Sequence, residues 1–562
     1  MYNAVRQRRA SRNGDVNGAL SFFESRAISD EKMFWRFRLS PERNLCDIFW
    51  SDGPSQLDYH LFGDVLAFDA TYGRNKYNLP VIVFSGVNHH NHTCIFGAAM
   101  VSCESQSSYV WVLQQFLECM GGKFPGAVIT DGDRSMRLAI QEVFPDARHR
   151  LCAWHILKNA TSHICKPIFT NLLRNCMLAD VDVDEFELQW AAMVDECGVR
   201  EVDWVNDLYA KKDLWATAYI RGSFFAGLRT TSRCESLHAK LGRFVDRRYG
   251  VHEFVINFQR CVDFIRDNEE ELEFRSLYGT PVLQTEFPEL EKSAAMEYTR
   301  DIFFRLRETL KSSVRIKILD RSEMDNKVIY QTQRYMRAGK RWTVEHVKEC
   351  DRFCCSCKRM ESFGLPCVHV IAVLVQLDRS CIPKSLIMAR WSKNVKAERV
   401  SADGRAGEVL GETDSVFKSR VGAFLQLCKR YAMLACVKET EYKKCSSRVV
   451  EEIKILEQTV KAGEVGGGIN SNCGDKVREP VPVRTKGTGT ANEPVGSQGI
   501  KRRKCSACGE LGHRRTRCTK ASGAVDNGTQ VSAGVTDLQS QGPSRTRLNH
   551  VSGGTSVEES LT

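Results

Sequence analysis

The sequence predicts an α/β fold built on one mixed sheet. Five short apolar runs between residues 63 and 154 have the composition of buried strands. The first three runs follow one another without a helix, as in a meander of hairpins, whereas helical segments flank the last two. The order strand, strand, strand, helix, strand, helix, strand therefore indicates that the sheet contains strands of both directions.

The elements follow in chain order. Residues 1–62 hold a polar start and a short mixed segment, to which we assign no strand. The pattern predicts strands at 65–68, 78–87, 93–102, 126–130 and 148–154, and helices at 109–120 and 134–144. Residues 156–225 have a helical pattern with Trp190, Trp204 and Trp215 as apolar anchors, and a further helix follows over 229–245.

Composition and periodicity divide the chain into eight segments. We expect a lead-in (1–62), the α/β domain (63–250), a helical region (251–330), a cysteine-rich zinc region (331–391), a helical segment (413–461), a flexible linker (462–500), a compact Cys/His module (501–520) and a disordered polar tail (521–562). The linker predicts that the two Cys/His segments fold independently.

The sequence does not have the features expected of a secreted protein or of a membrane-spanning protein. The basic start has no apolar stretch after it, so it does not have the pattern of a secretory signal. The longest apolar run, 367–377, is too short to span a bilayer. We therefore expect no membrane association and a reducing compartment, in which the grouped members of the 23 cysteines bind metal. The net charge of +11 permits a polyanionic partner.

Three carboxylates are candidates for a catalytic site. Asp69 and Asp131 each end a predicted strand, and Glu235 lies on a later predicted helix. If the first and fourth strands are neighbours, both aspartates lie at one edge of the sheet, where a helix can present Glu235. Oxygen ligands of this kind suit Mg²⁺ or Mn²⁺ and the cleavage of a phosphodiester. An aspartate that merely caps a turn is the alternative.

A first Cys/His segment, FCCSCKRMESFGLPCVHVIAVL, predicts a zinc site. Cys355-x-Cys357 is followed after nine residues by Cys367-x-His369, which supplies four ligands for a tetrahedral ion. Cys354 offers a competing Cys-x-x-Cys pair with Cys357. Such a site binds nucleic acid or protein, or it stabilises the fold.

A second segment, KRRKCSACGELGHRRTRC, predicts a zinc knuckle. Its ligands have the spacing C-x2-C-x4-H-x4-C and are Cys505, Cys508, His513 and Cys518. Basic residues that could contact phosphates surround them: Lys501, Arg502, Arg503, Lys504, Arg514, Arg515 and Arg517. The run 501–504 also has the pattern of a nuclear localisation signal, although a solvated charge run has the same composition.

Several ordered blocks resemble a known family. FDATYGRNKYNLP, GAVITDGDRSMRLAI, LCAWHILKN and FFAGLRTTSRCESLHAKL are similar to successive blocks of the Mutator-like (MULE) transposase domain. They resemble in particular the plant far-red-impaired-response (FAR-related) family, which derives from such transposases. The similarity is dense over 63–245 and looser to about residue 391.

The resemblance implies an RNase H-like fold with a helical insertion over 156–228. It implies that Asp69, Asp131 and Glu235 are the acidic triad of the family, and that Cys152 and His155 in LCAWH are its C-x-x-H motif, although two residues cannot close a zinc site. It also implies that the first zinc site is a SWIM finger whose first ligand is Cys355. His238 stands where the family more often has Asn.

Three functions remain open on these grounds. The resemblance implies a nuclear zinc protein that associates with DNA and regulates transcription, which is the expectation. An active Mg²⁺-dependent DDE transposase and a zinc-stabilised protein adaptor are the alternatives. Family members commonly begin with a WRKY-like DNA-binding finger, and residues 1–60 have no matching Cys/His cluster. We therefore expect two zinc ions, DNA binding of low sequence specificity, and oligomers with the same chain or with family relatives.

Overall fold

Seven strands form the central sheet in the computed structural model of the protein. The structure describes residues 14–179, 181–228, 232–336, 339–396, 424, 427–428, 430–461, 478–480 and 482. The strands are β1 (Phe34–Leu39), β2 (Leu45–Ser51), β3 (Val65–Thr71), β4 (Val81–Val87), β5 (Thr93–Met100), β6 (Ala127–Thr130) and β7 (Arg148–Leu151).

The strand order is β1-β2-β5-β4-β3-β6-β7. The pairs from β1 to β3 are antiparallel, and β3, β6 and β7 are parallel. The parallel pairs are joined through helices, as crossover connections require. The predicted α/β class with a mixed sheet is confirmed.

Strands β1 and β2 were not expected from the sequence. Each carries a charged residue that interrupts its apolar pattern, Arg38 in β1 and Asp47 in β2. The two side chains form an ion pair across the strands, and the carboxylate of Asp47 is buried. The ion pair thus offsets the free-energy cost of burying the Asp47 carboxylate. Without knowledge of this pair, a charged residue in the sequence argues against a buried strand.

Thirteen α-helices lie between residues 14 and 313 in the described part of the chain. They are α1 (Asp15–Ser29), α2 (Gly53–Phe62), α3 (Gln106–Cys119), α4 (Arg134–Val143), α5 (Ala153–Ile164), α6 (Pro167–Leu178), α7 (Val183–Cys197), α8 (Asp203–Ala210), α9 (Thr217–Ile220), α10 (Ser232–Leu241), α11 (Val251–Tyr278), α12 (Pro288–Glu297) and α13 (Arg300–Ser313).

The helices cover both faces of the sheet. Helices α2, α3 and α4 bury Tyr59, Phe116 and Ile140 against one face. Helices α1, α10 and α11 bury their apolar residues against β2, β4 and β5 on the other face. The alternation of side chains along each strand explains the two cores, because Ile82 and Phe84 of β4 enter the first core whereas Val81 and Val83 enter the second.

The helical insertion α5–α9 has a core of its own. Trp190 and Trp215 lie there with ring centroids 5.7 Å apart.

The strand that we expected over 148–154 ends at Leu151. Cys152 is the N-cap of α5, which places Trp154 on a helix. An apolar run cannot by itself show where a strand ends and a helix begins.

A second, four-stranded antiparallel sheet follows. Its strands are β8 (Ile316–Met324), β9 (Lys327–Arg334), β10 (Arg341–Val347) and β11 (Arg352–Cys355), in the order β11-β10-β9-β8. Helices α14 (Arg359–Phe363) and α15 (Val368–Gln376) and two 3₁₀ turns, Lys384–Leu386 and Ala389–Trp391, complete this region, and α16 (Glu439–Lys461) lies further on. β8 lies within 251–330, the segment that we expected to be helical. The sequence pattern did not reveal this strand because most of its residues are exposed and polar.

The second sheet and the central sheet share one hydrophobic core. Val65 and Ile129 of the central sheet lie in the same buried cluster as Phe303 of α13, Tyr330 of β9 and Val370 of α15. No helix in the described part of the chain is both long and apolar enough to cross a membrane.

Candidate functional site

Two of the predicted acids lie side by side at one end of the central sheet. β3 and β6 are parallel neighbours with Ala67 opposite Ile129. Asp69 and Asp131 each follow two residues later, so the same register brings them together on one face. Asp69 is 7% exposed, and Oδ1 of Asp131 accepts a hydrogen bond from the backbone nitrogen of Asp133 at 3.0 Å.

The third predicted acid approaches from a helix. Glu235 lies in the first turn of α10, which packs against β3. Burial raises the pKa of the Asp69 carboxyl to about 7, and the negative charges of Asp131, Glu235 and Glu104 contribute to the shift. The three predicted acids therefore share one electrostatic environment.

Glu104 is a fourth carboxylate at this site, which the sequence analysis did not select. It lies between β5 and α3 and accepts hydrogen bonds from the hydroxyls of Tyr72, at 2.5 Å, and Tyr109, at 3.0 Å. The signal that could have found it is its position at the end of a predicted strand.

The C-x-x-H motif lies against the same site. The Nε2 atom of His155 is 4.0 Å from Oε1 of Glu235. Burial lowers the pKa of His155, with Asp131 opposing the shift and Lys158 adding to it. The buried Cys152 donates its backbone N–H to the carbonyl of Thr130 at 2.8 Å, which holds the start of α5 against β6.

His238 completes the surroundings of Glu235 on the same helix. It is buried, and burial together with the charge of Arg74 and the neighbouring His155 lowers its pKa to about 4. A guanidinium nitrogen of Arg74 also lies 3.4 Å from the His238 carbonyl. The imidazoles of His155 and His238 are thus neutral near neutral pH, and they add no positive charge beside Glu235.

The four carboxylates are not gathered into one tight cluster. Among the described residues, two groups bring at least three His, Cys, Asp or Glu ligand atoms within 4.8 Å of one another, and neither contains these acids, Cys152 or His155. One of the two groups is the cysteine-rich segment, and the other lies at the turn between β4 and β5.

In the cysteine-rich segment, the structure brings Cys355, Cys357, Cys367 and His369 together. All four are buried, and Sγ of Cys355 lies 3.6 Å from Nδ1 of His369. Cys354 lies outside the group because it precedes Cys355 on β11, where successive side chains point to opposite faces. The geometry therefore resolves the two registers that the spacing left open.

The local backbone structure positions the four candidate zinc ligands. Cys355 ends β11, Cys357 follows in a turn closed by Lys358 at φ 55°, and Cys367 is the N-cap of α15 with His369 in the first turn. The indole of Trp342 stacks on the His369 ring, with centroids 4.3 Å apart. Hydrogen bonds from Cys355 and Cys367 hold the pKa of the Cys357 thiol far below its usual range.

The predicted knuckle lies outside the described residues. This applies to its ligands Cys505, Cys508, His513 and Cys518 and to its basic residues Lys501, Arg502, Arg503, Lys504, Arg514, Arg515 and Arg517. The second zinc site and its phosphate contacts remain predictions from the sequence.

Comparison with protein families matches two parts of the chain. Residues 65–159 match the MULE transposase domain, and residues 354–378 match the SWIM zinc finger. The first match includes Asp69, Asp131 and the C-x-x-H motif, and the second includes the four clustered Cys and His residues.

Curated relatives from Arabidopsis thaliana match over longer stretches. The chain is 30% identical to Protein FAR1-RELATED SEQUENCE 5 over 70% of its own length and 51% of that protein. It is 28% identical to Protein FAR-RED IMPAIRED RESPONSE 1 over 79% of its own length and 53% of that protein. It is also 28% identical to Protein FAR1-RELATED SEQUENCE 9, over 68% of its own length and 70% of that protein. The chain spans about half the length of the first two. With the MULE and SWIM matches, these similarities show that the chain resembles the FAR1-related proteins, and they support a zinc-binding factor derived from MULE transposases.

Proposed function

We propose that this protein is a nuclear, DNA-associated regulator of transcription. The observation that carries the proposal is the single core shared by the transposase-type sheet and the SWIM segment, in which Ala67 and Ile129 pack with Cys355 and Val370. A factor built this way keeps the DNA-handling body and the zinc module of a transposase as one unit. The relatives, one of which is named for an impaired far-red response, support a regulatory role.

Charge supports the association with DNA. The chain carries a net charge of +11, and exposed Lys158 lies at the carboxylate site, with its ammonium 4.8 Å from the ring of the exposed Trp154. A cation beside an exposed aromatic ring suits contact with phosphate and base. Phosphate contacts position a protein without reading sequence, so we expect low specificity unless a partner, such as a family relative, supplies it.

The test is a chromatin occupancy map of the tagged protein, combined with imaging of its location. We expect a nuclear signal and occupancy at transcribed loci, and we expect transcript levels at those loci to change when the protein is depleted. A variant with Lys501, Arg502, Arg503 and Lys504 changed to Ala tests nuclear import. A wild-type protein that stays in the cytoplasm, or that occupies no chromatin, would favour the protein-adaptor alternative.

A second candidate is Mg²⁺-dependent DNA strand cleavage. The observation that favours it is the environment of Asp69, where burial, together with the negative charges of Asp131, Glu235 and Glu104, raises the pKa of the carboxyl to about 7. Carboxylate oxygens are the ligands that Mg²⁺ or Mn²⁺ prefers, and Asp69, Asp131, Glu235 and Glu104 are the residues that would hold such an ion. The bound ion would neutralise charge on a phosphodiester under attack.

Cleavage can be tested with a matched pair of variants. Asp69→Asn removes a carboxylate at the site, whereas Asp146→Asn removes an exposed one after α4. We expect Asp146→Asn to keep any Mg²⁺-dependent cleavage of labelled DNA ends that the parent shows, and Asp69→Asn to abolish it. A parent protein without cleavage, or an active Asp69→Asn variant, rules out this candidate.

A further inference from the structure

We propose that His89, His90 and Glu273 form a zinc site that joins the turn between β4 and β5 to α11. The Nε2 atoms of His89 and His90 each lie 2.7 Å from the same carboxylate oxygen of Glu273. The three ligand atoms lie within 4.8 Å of one another. Two imidazole nitrogens and one carboxylate oxygen are a ligand set that binds Zn²⁺ in proteins.

The backbone of the turn directs both imidazoles to one point. The side-chain oxygen of Asn88 accepts hydrogen bonds from the backbone nitrogens of His90, at 3.1 Å, and His92, at 2.9 Å. Asn91 completes the turn with φ 57°. Consecutive residues of an extended strand point to opposite sides, but in this turn the rings of His89 and His90 lie with centroids 4.0 Å apart.

The surrounding residues hold the two histidines in place. The side chains of His89 and His90 are 0% and 1% exposed. The ring of His89 stacks on Phe62, with centroids 5.5 Å apart and an angle of 4°. The hydroxyl of Thr299 donates a hydrogen bond of 2.7 Å to the carbonyl of His89. Ligands fixed in this way lose little entropy when they bind an ion.

Charge at the site favours a cation over a second proton. Two protonated imidazoles with ring centroids 4.0 Å apart would repel each other. Neutral imidazoles present the lone pairs that a metal needs. The carboxylate of Asp301, an oxygen of which lies 2.9 Å from Nε2 of His92, adds negative charge nearby. Because the Glu273 side chain is 25% exposed, water can reach a fourth coordination position.

The site would join three parts of the fold. Asp69 pairs with Val83 near the start of β4, whereas the turn follows the end of β4 at Val87, so the histidines lie at the other end of this strand from the carboxylate site. Glu273 comes from α11, and Thr299 precedes α13. Zinc here would fasten the sheet to the helices that lead to the SWIM segment.

The experiment uses the full chain produced with Co²⁺ in place of zinc. Thiolate-bound Co²⁺ gives a sulfur-to-metal charge-transfer band, whereas Co²⁺ held by imidazole and carboxylate does not. We expect total cobalt to exceed thiolate-bound cobalt by one ion per chain in the wild type. Glu273→Gln should lose this surplus ion, because an amide keeps the shape of the side chain but not its charge. His92→Gln, in the same turn but outside the ligand set, should keep it.

Two outcomes would overturn the proposal. A wild-type chain without surplus cobalt means that the three residues form a hydrogen-bonded trio only. A folded Glu273→Gln variant that keeps the surplus ion means that the ion lies elsewhere. If Glu273→Gln does not fold, the comparison is made with His90→Gln, which should lose the same ion, and a folded His90→Gln variant that keeps it would overturn the proposal.

Discussion

The Nε2 atom of His155 lies 4.0 Å from Oε1 of Glu235. The first belongs to the C-x-x-H motif after β7, and the second is the last acid of the predicted triad, 80 residues later by their numbers. The motif therefore borders the carboxylate site, and the pair links the helical insertion to α10. Because burial lowers the pKa of His155, the contact near neutral pH is that of a neutral imidazole with a carboxylate.

Substituting His155 tests this contact. Both side chains are partly exposed, 19% and 32%, so we expect His155→Ala to lower stability by no more than about 1 kcal/mol. Hydrogen exchange should become faster in 232–241, where α10 loses its neighbour, and zinc content should not change. His163→Ala is the control, since His163 stacks on Trp204 near the other end of α5. Loss of zinc from His155→Ala would show instead that the motif binds metal.

Asp69→Asn should make the magnesium-free protein more stable at high pH. The pKa of Asp69 is about 7 in the folded state against 3.8 for the ordinary side chain, so the folded protein holds more protons between these values. Wild-type stability should therefore fall as pH rises from about 4 to 7, and the fall should be smaller in the variant. At pH 8 the difference should reach up to ~4 kcal/mol, measured by urea denaturation.

A magnesium titration provides the control for that experiment. If the acids bind the ion, Mg²⁺ should stabilise the wild type at pH 8 and have little effect on Asp69→Asn, because bound ligand stabilises only the state that binds it. Equal pH profiles for the two proteins would contradict the assignment of a raised pKa to Asp69.

The four SWIM residues should be distinguishable from Cys354 by substitution. Cys367→Ser removes a ligand from the buried cluster, whereas Cys354→Ser changes a neighbouring thiol outside it. We expect Cys367→Ser to lose one zinc ion and a large part of the thermal stability of the chain, because structural zinc contributes about 10–16 kcal/mol in isolated fingers. Cys354→Ser should keep both. Zinc loss from Cys354→Ser would favour the alternative register.

Arg390 should be essential for holding the SWIM region to the central sheet. Its guanidinium bonds the carboxylate of Asp64 and the carbonyls of Phe62, at 3.2 Å, and Val87. Arg390→Met should cost about 3–5 kcal/mol in denaturation experiments, because it removes the donor to the carbonyls of Phe62 and Val87 and leaves the Asp64 carboxylate without its cation. Arg390→Lys should restore little of the loss, since an ammonium cannot reproduce the planar fork. Full stability of Arg390→Lys would contradict this role.

The salt dependence of DNA binding tests the basic knuckle. If Arg514, Arg515 and Arg517 each contact a phosphate, their joint replacement by Ala should reduce the slope of log K against log salt by up to about three. Binding should weaken similarly for unrelated sequences, as measured by fluorescence anisotropy over a salt series. An unchanged slope would exclude these residues from the contact with DNA.

The sequence alone determined the elements whose signals are local. The apolar runs of β3 to β7, the helices α3 and α4, and the Cys/His spacing at 355–369 all depend on periodicity or on ligands a few residues apart. The sequence also showed that Asp69 and Asp131 each lie at the end of a predicted strand. It could not show that these two strands are neighbours, which the structure establishes.

The tertiary structure decided what depends on partners far away in the chain. The charged residues Arg38 and Asp47 interrupt the apolar pattern of β1 and β2, and only the structure shows that they form an ion pair. The choice between Cys354 and Cys355 as the zinc ligand depends on which face of β11 lies against α15. Glu104, His155 and the group of His89, His90 and Glu273 gain their neighbours only when the sheet closes against its helices. A local pattern records which side of its own element a residue occupies, but not which residues lie opposite, and that difference sets burial, charge and metal binding.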